Sequence, residues 1–193
     1  MRTRMRTIPP ADKNPLLREV AREIPVKDIG SARIRALIAD MQKLLAQEEY
    51  GVALAAPQVG EPVRLFIVSG RALARDSRLP AQASNAPDEP TSDEVKPHRK
   101  TLPDQVYINP VVVKMSRTKK GKHEGCLSIR GKWGIVARAE KASIRAYDEQ
   151  GKICTRGASG FLAHVFQHEM DHLEGILYTD KATNVYDEQK EPE

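Results

Sequence analysis

Between Ser31 and Tyr50 the apolar residues Ile34, Leu37, Ile38, Met41, Leu44 and Leu45 recur at steps of three and four, the period at which a helix gathers such residues into one stripe. Ser31 is of the type that accepts a backbone N–H at a helix start, so the pattern predicts an N-terminal amphipathic helix over about residues 31–48, its stripe turned to a core. Upstream, Asn14 as cap and Pro15 at the first helical position predict a short helix in "NPLLREVAREI". The pattern then changes. "VRLFIVSG", "QVYINPVVVKMSRTKK", "GKHEGCLSIR", "GIVARA" and "KASIRAYDEQGKIC" are β-rich runs punctuated by Gly and Pro, the last of them expected to turn as a hairpin near Gly151. A helix is expected again over about residues 160–174, capped by Ser159 and stopped by Gly175. Residues 71–104 carry Pro, Ala, Ser and charges without a period and read as an inserted flexible loop, while the polar tail "KATNVYDEQKEPE" is expected to fray. Helices and antiparallel strands in separate runs, with no internal repeat, predict an α+β fold and a single domain over residues 1–193.

Composition narrows the setting. The 193 residues are 40% apolar, enough for a core, and 30% charged. No stretch approaches the roughly 20 apolar residues of a membrane span, and the basic opening "MRTRMRTIPPADKNP" lacks the apolar run of a secretion signal, so a cytoplasmic protein without membrane contact is expected. Two cysteines, Cys126 and Cys154, do not make a disulfide framework. The formal charge of +5 suits an anionic neighbour, but aromatic residues at 5% leave little on which bases could stack.

Chemistry concentrates in "VFQHEMDHLEG", residues 165–175. Histidines four apart on a helix share a face, so His168 and His172 can reach one cation while Glu169 faces the same cleft. A third ligand is needed. Cys126, in "EGCLS" at the end of an expected strand, supplies one candidate, since a thiolate with two imidazoles leaves a position for water. His164, one turn before His168, is a rival third ligand, and Cys154 reads as an inert buried thiol. This donor set suits Zn(II), Fe(II), Co(II) or Ni(II), and spacing does not choose among them.

The stretches "GVALAAPQ", "EGCLS" and "QHEMDH", in this order, resemble the three signature motifs of peptide deformylases, and the resemblance runs from about residue 14 to 180, leaving out the insert. It implies antiparallel sheets packed around a central metal-binding helix, and removal of the N-formyl group from nascent chains that begin with formylmethionine. It implies Cys126, His168 and His172 as metal ligands, Glu169 as the catalytic carboxylate, and the Gln58 amide with the Leu127 N–H as donors to the developing oxyanion. It implies Fe(II) in the cell, with Zn(II), Ni(II) or Co(II) able to replace it on purification. Gly51, Val52, Ala53 and Gly125 would bind the substrate, and His164 would lie near the methionine pocket. Glu124 and Arg138 would form an ion pair fixing the strand that holds Cys126.

This chain departs from the family pattern at Ala53, where a glycine is usual and a methyl is expected to crowd the peptide, and at Arg130, where proline is common. Trp133 is placed either at the substrate entrance or over the core. The expected partner is an N-formylmethionyl peptide met by a monomer, with the basic charge suited to transient docking near ribosomal RNA. Two rival readings are a metallopeptidase, which usually takes its third ligand from a further His or acidic residue, and a deformylase-like binder weakened in catalysis by Ala53 and the insert.

Overall fold

In the computed structural model, which describes residues 6–76 and 102–188, the chain runs through α1 (Ala32–Gln47), β1 (Ala53–Ala55), β2 (Leu65–Val68), α2 (Gly70–Asp76), β3 (Gln105–Met115), β4 (Lys119–Cys126), β5 (Ile129–Ala139), β6 (Lys141–Tyr147), β7 (Ile153–Ser159), α3 (Gly160–Leu173) and β8 (Val185–Asp187). Helices and antiparallel sheets mix as in an α+β fold. Five strands pair in the order β1-β2-β3-β6-β7, and β4-β5-β8 form a second sheet. Every pairing between these strands is antiparallel.

The five-stranded sheet is covered on both faces, which explains why all four residues of β2 are buried rather than alternating. Leu65, Ile67, Val106 and Ile108 pack with Ile34, Leu37, Ile38, Met41 and Leu45 of α1. Phe66, Val68, Tyr107 and Ile144 point the other way, into a cluster with Leu162, Val165, Phe166, Met170 and Leu173 of α3. The Phe66, Tyr107 and Phe166 rings meet there, Tyr107 edge-on to Phe166 at 5.3 Å between centroids. Ser31 starts α1 by accepting the Ile34 N–H at 3.3 Å.

Five expectations need correction. Ser159 stands at the start of α3 but its side chain makes no cap bond. It is instead the last ladder residue of β7, and the chain enters the helix through Gly160, at φ 57°, whose N–H donates to Glu140 O at 2.9 Å. Asn14 caps no helix either. Pro15–Arg18 is a 3₁₀ turn, and the buried Asn14 amide donates to Pro57 O at 2.8 Å. The run "GKHEGCLSIR" is not one strand, because a two-residue turn at Leu127 and Ser128 splits it between β4 and β5, and "GIVARA" continues β5. The insert starts later than expected, since α2 follows β2 and buries Ala72 and Leu73 beneath α3; residues 77–101 lie outside the described residues. The tail does not fray throughout, for Val185–Asp187 pair with Lys132, Trp133 and Gly134 of β5. At the other end of α3, Gly175 has φ 71°, and a Cβ there would fall 2.8 Å from the Arg18 carbonyl, so both conformation and space require glycine. Among the described residues no helix is long and apolar enough to cross a membrane.

Candidate metal centre and its surroundings

Cys126 ends β4 immediately before the Leu127–Ser128 turn, and a register shift at Gly125 re-aims the strand end. His168 and His172 project from α3 toward it. Their ligand atoms and the Cys126 sulfur lie within 4.8 Å of one another, with Cys126 Sγ 3.3 Å from His172 Nε2. Burial works against a charged Cys126, but His172 and His168 outweigh it and hold the thiol well below its usual range. Burial likewise opposes a charged His168, yet Cys126 and Glu124 raise its pKa well above the usual value. Glu169, one position after His168, is buried with its Oε2 unpartnered, and burial pushes the carboxyl up to about 7.

Gln58 meets the cluster from the 3₁₀ turn Ala56–Val59 that follows β1. Its Oε1 accepts the Ala55 N–H at 2.8 Å, which fixes the amide so that Nε2 points at Ser128 Oγ, 3.3 Å away, and Cys126 Sγ, 3.5 Å away. Leu127 is the first residue of the turn after Cys126 and is partly buried against the α1 cluster.

Glu124 and Arg138 form the expected ion pair, bidentate at 2.7 and 3.0 Å and buried. Glu124 also accepts His168 Nδ1 at 2.9 Å. Despite burial, His164, His168 and Arg138 together hold its carboxyl far below the usual range. Arg138 continues to Asp171, whose other oxygen accepts Lys181 Nζ at 2.6 Å. A cleft of about 730 Å³ opens along Arg138, Asp171 and Lys181, floored by Ile144, Phe166 and Met170, on a face of α3 that carries neither His168 nor His172.

Two candidate residues stand elsewhere than a third-ligand or crowding role needs. His164 is buried against the Glu124 carboxylate, its Nε2 2.5 Å from Oε1, and is not part of the sulfur and imidazole cluster. The Ala53 methyl joins Phe66 and Val68 in the cluster beneath α3. Side chains stand across a sheet, so this methyl lies out of the plane of the open edge of β1, which among the described residues pairs only with β2. Gly51 and Val52 precede that edge and are tied down through their carbonyls, Gly51 O to the Ser69 hydroxyl at 3.2 Å and Val52 O to the Ser69 N–H at 2.8 Å. Trp133 lays its ring over Gly125, covering the strand beside Cys126, and is itself exposed. Arg130 binds Glu48 at 2.6 and 3.0 Å, joining the end of α1 to β5.

Ser128 and Asp171 escaped the reading of the sequence, and Asn14 entered it only as a helix cap. Ser128 and Asp171 sat inside the quoted motifs but beside stronger ligands, and nothing local marks the bonds of Asn14 to carbonyls 43 and 44 residues away.

A profile described as polypeptide deformylase matches residues 7–188. The chain is 39% identical over 171 residues to peptide deformylase 1A, chloroplastic/mitochondrial, of Arabidopsis thaliana, covering 89% of this chain and 59% of that one. It is 32% identical over 173 residues to the peptide deformylase of Desulforudis audaxviator, covering 90% and 91%. The chain thus spans less than two thirds of the plant relatives, 59% of the Arabidopsis protein and 56% of the tomato one. Among solved structures it is similar to a plant peptide deformylase, with TM-score 0.73 and 27% identity over 95% of this chain and 84% of that one. It is also similar to the peptide deformylase of Synechococcus elongatus in complex with actinonin, with TM-score 0.70 and 27% identity over 95% and 82%.

Proposed function

The chain belongs to the polypeptide deformylase family, and on that premise we propose that it is a metal-dependent amide hydrolase that removes the N-formyl group from formylmethionine at the start of new polypeptides, releasing formate. The observation that carries this reading is the convergence of Gln58 and Glu169 on the Cys126, His168 and His172 cluster. The donor chemistry fits a divalent transition metal, because the thiol is held toward its thiolate form and His168 is oriented from behind by Glu124. Bound there, such an ion would polarise the formyl carbonyl and lower the pKa of water toward about 7. Fe(II) is the ion proposed for the cell, with Zn(II), Ni(II) or Co(II) as substitutes.

Glu169 takes the proton of the attacking water and returns it to the leaving amine, a task suited to a carboxyl poised near 7. Gln58 Nε2, held by the Ala55 bond on its oxygen, donates to the formyl oxygen as charge builds there, and the Leu127 N–H is the second donor. Each such donor contributes about 3 kcal/mol to the transition state. The peptide adds as a strand along the open edge of β1 beside Gly51, Val52 and Ala53, with Gly125 on the opposite wall and His164 at the rim of the methionine pocket. The enclosed stretch from Gly51 to Ala56 admits a formyl group and rejects larger acyl groups. The whole of residues 1–193 serves as one catalytic domain, with α3 carrying two of the three ligands between the sheets and the amphipathic α1 bracing the far face. It works as a monomer in the cytoplasm, docking transiently near ribosomal RNA.

Anaerobic purification with elemental analysis, followed by turnover of formyl-Met-Ala-Ser and its acetyl counterpart, tests the reading. Formate release from the first and far slower hydrolysis of the second is expected; equal turnover of both would sink it. Glu169→Gln should keep its metal and lose most activity, whereas Cys126→Ala should lose metal as well.

A further inference from the structure

Two turns beside the sheets are stitched together. Residues 116–118 join β3 to β4, and Glu140 and Lys141 stand where β5 passes into β6. Ser116 N–H donates to Lys141 O at 2.9 Å and Glu140 N–H to Thr118 O at 3.0 Å. The Ser116 hydroxyl adds two bonds, donating to Thr118 O at 2.9 Å and accepting Lys141 N–H at 3.1 Å. This lattice brings Lys114, Arg117, Lys119 and Lys120 beside Lys141, and Lys122 follows along β4. All are exposed except the half-buried Lys122. No acidic residue occurs from Lys114 to His123. The neighbouring Glu140 is engaged by Lys120 at 2.7 Å.

Five of the six cations carry no ion pair with Glu140, and Asp171 and Glu174, which share a cleft with Lys119, are held by Arg138, Lys181 and Arg64. Like charges held together by backbone bonds repel one another, and a bound polyanion relieves that repulsion without any need to rearrange the turns. We propose that this corner is a docking surface for the phosphate backbone of structured RNA. The proposal rests on the reading that the substrate is a chain being made on a ribosome, and it names the surface that holds the protein there.

No aromatic residue lies between Lys114 and Lys122, so this basic run offers charge and no stacking ring, and reads phosphate and not sequence. Lys119 and Cys126 stand at opposite ends of β4, a separation of about 23 Å at the rise of a strand. RNA seated at the corner therefore leaves the cluster of Cys126, His168 and His172 accessible to a peptide. An anionic membrane is attracted by the same charge, but the corner is built of strand ends and turns and offers no amphipathic helix to bed in an interface.

The test is fluorescence anisotropy with a labelled RNA duplex of about 20 base pairs, titrated between about 50 and 300 mM KCl. The unaltered chain should bind with a log–log salt slope of about −3 to −5, reflecting release of several counterions. Arg117→Glu, Lys119→Glu and Lys141→Glu together should weaken binding more than about 30-fold and flatten that slope. Lys114→Arg, Lys119→Arg and Lys141→Arg together should bind within about twofold, as charge and not shape is read. Reversal of the exposed Lys13, Lys27 and Lys43 makes the same change in net charge away from the corner and should cost less than about threefold. Equal weakening by both reversed sets overturns the proposal, as does absence of RNA binding by the unaltered chain, or binding to phosphatidylserine vesicles and not to RNA. Turnover of a formyl tripeptide by the unaltered chain is measured apart, so the catalytic reading and the docking surface fail separately.

Discussion

Asp171 and Glu124 hold one buried guanidinium from opposite sides, that of Arg138. Because Glu124 also orients His168, and Asp171 is held in turn by Lys181, a line of charge-assisted bonds runs from the surface to a proposed metal ligand.

That line predicts how tightly the ion is kept. Lys181 is 42% exposed along its side chain, so its pair with Asp171 adds little to stability, and its removal tests position instead of folding. Release of bound Co(II) to a chelator should speed up about threefold in Lys181→Ala and about tenfold in Asp171→Asn, with Lys181→Arg restoring the original rate. Unchanged release from Asp171→Asn would show that the line stops short of His168.

Ala53 was expected to crowd the substrate, but its methyl lies in the core beneath α3. Ala53→Gly should therefore lower stability by about 1–2 kcal/mol, from lost burial and a freer unfolded backbone, without raising kcat/KM on short formyl peptides. Thermal unfolding beside steady-state kinetics checks both halves. A gain in kcat/KM would return the methyl to the substrate path.

Ser128 holds the amide that Gln58 presents to the cluster. Gln58→Ala should cost about 100-fold in kcat, and Ser128→Ala about three- to tenfold with KM nearly unchanged, because only the aim of the donor is lost. A KM effect without a kcat effect in Ser128→Ala would mean that the residue contacts the peptide instead.

The Glu48 and Arg130 pair predicts a pH dependence. The bond from Arg130 lowers the Glu48 pKa below the usual 4.5. A depressed carboxyl contributes stability that is present above its unfolded pKa and is lost as pH falls through the folded one. The stability gap between the unaltered chain and Glu48→Gln should thus hold from pH 7 to about 5 and close below it, and should not exceed about 1 kcal/mol because Arg130 is mostly exposed. A gap that stayed constant down to about pH 3 would exclude the pair as its source.

Legibility in the sequence followed the range of the interactions. The stripe from Ile34 to Leu45 could be read because its period is local, and the hairpin at Gly151 because glycine marks a turn of positive φ. The turn at Leu127 and Ser128 carries no Gly, Pro, Asn or Asp, so two strands read as one run. Strand β8 is three residues long and held by the backbone of β5, which leaves no pattern of its own. At the candidate site, His168, Glu169 and His172 stood out by their helical spacing, and Cys126 by its place in a stretch that resembles a family motif. The Glu124 and Arg138 pair followed from the motif, whereas Asp171 reaches Arg138 across 33 residues and Asn14 reaches Pro57 across 43. Such contacts depend on how the sheets meet, which periodicity does not encode.

Cys126 belongs to the three-stranded sheet, while His168 and His172 ride on a helix packed against the five-stranded one. An ion gripped by all three would act as a rivet through two plates. Without that rivet the two plates would lose a tie that neither sheet supplies alone.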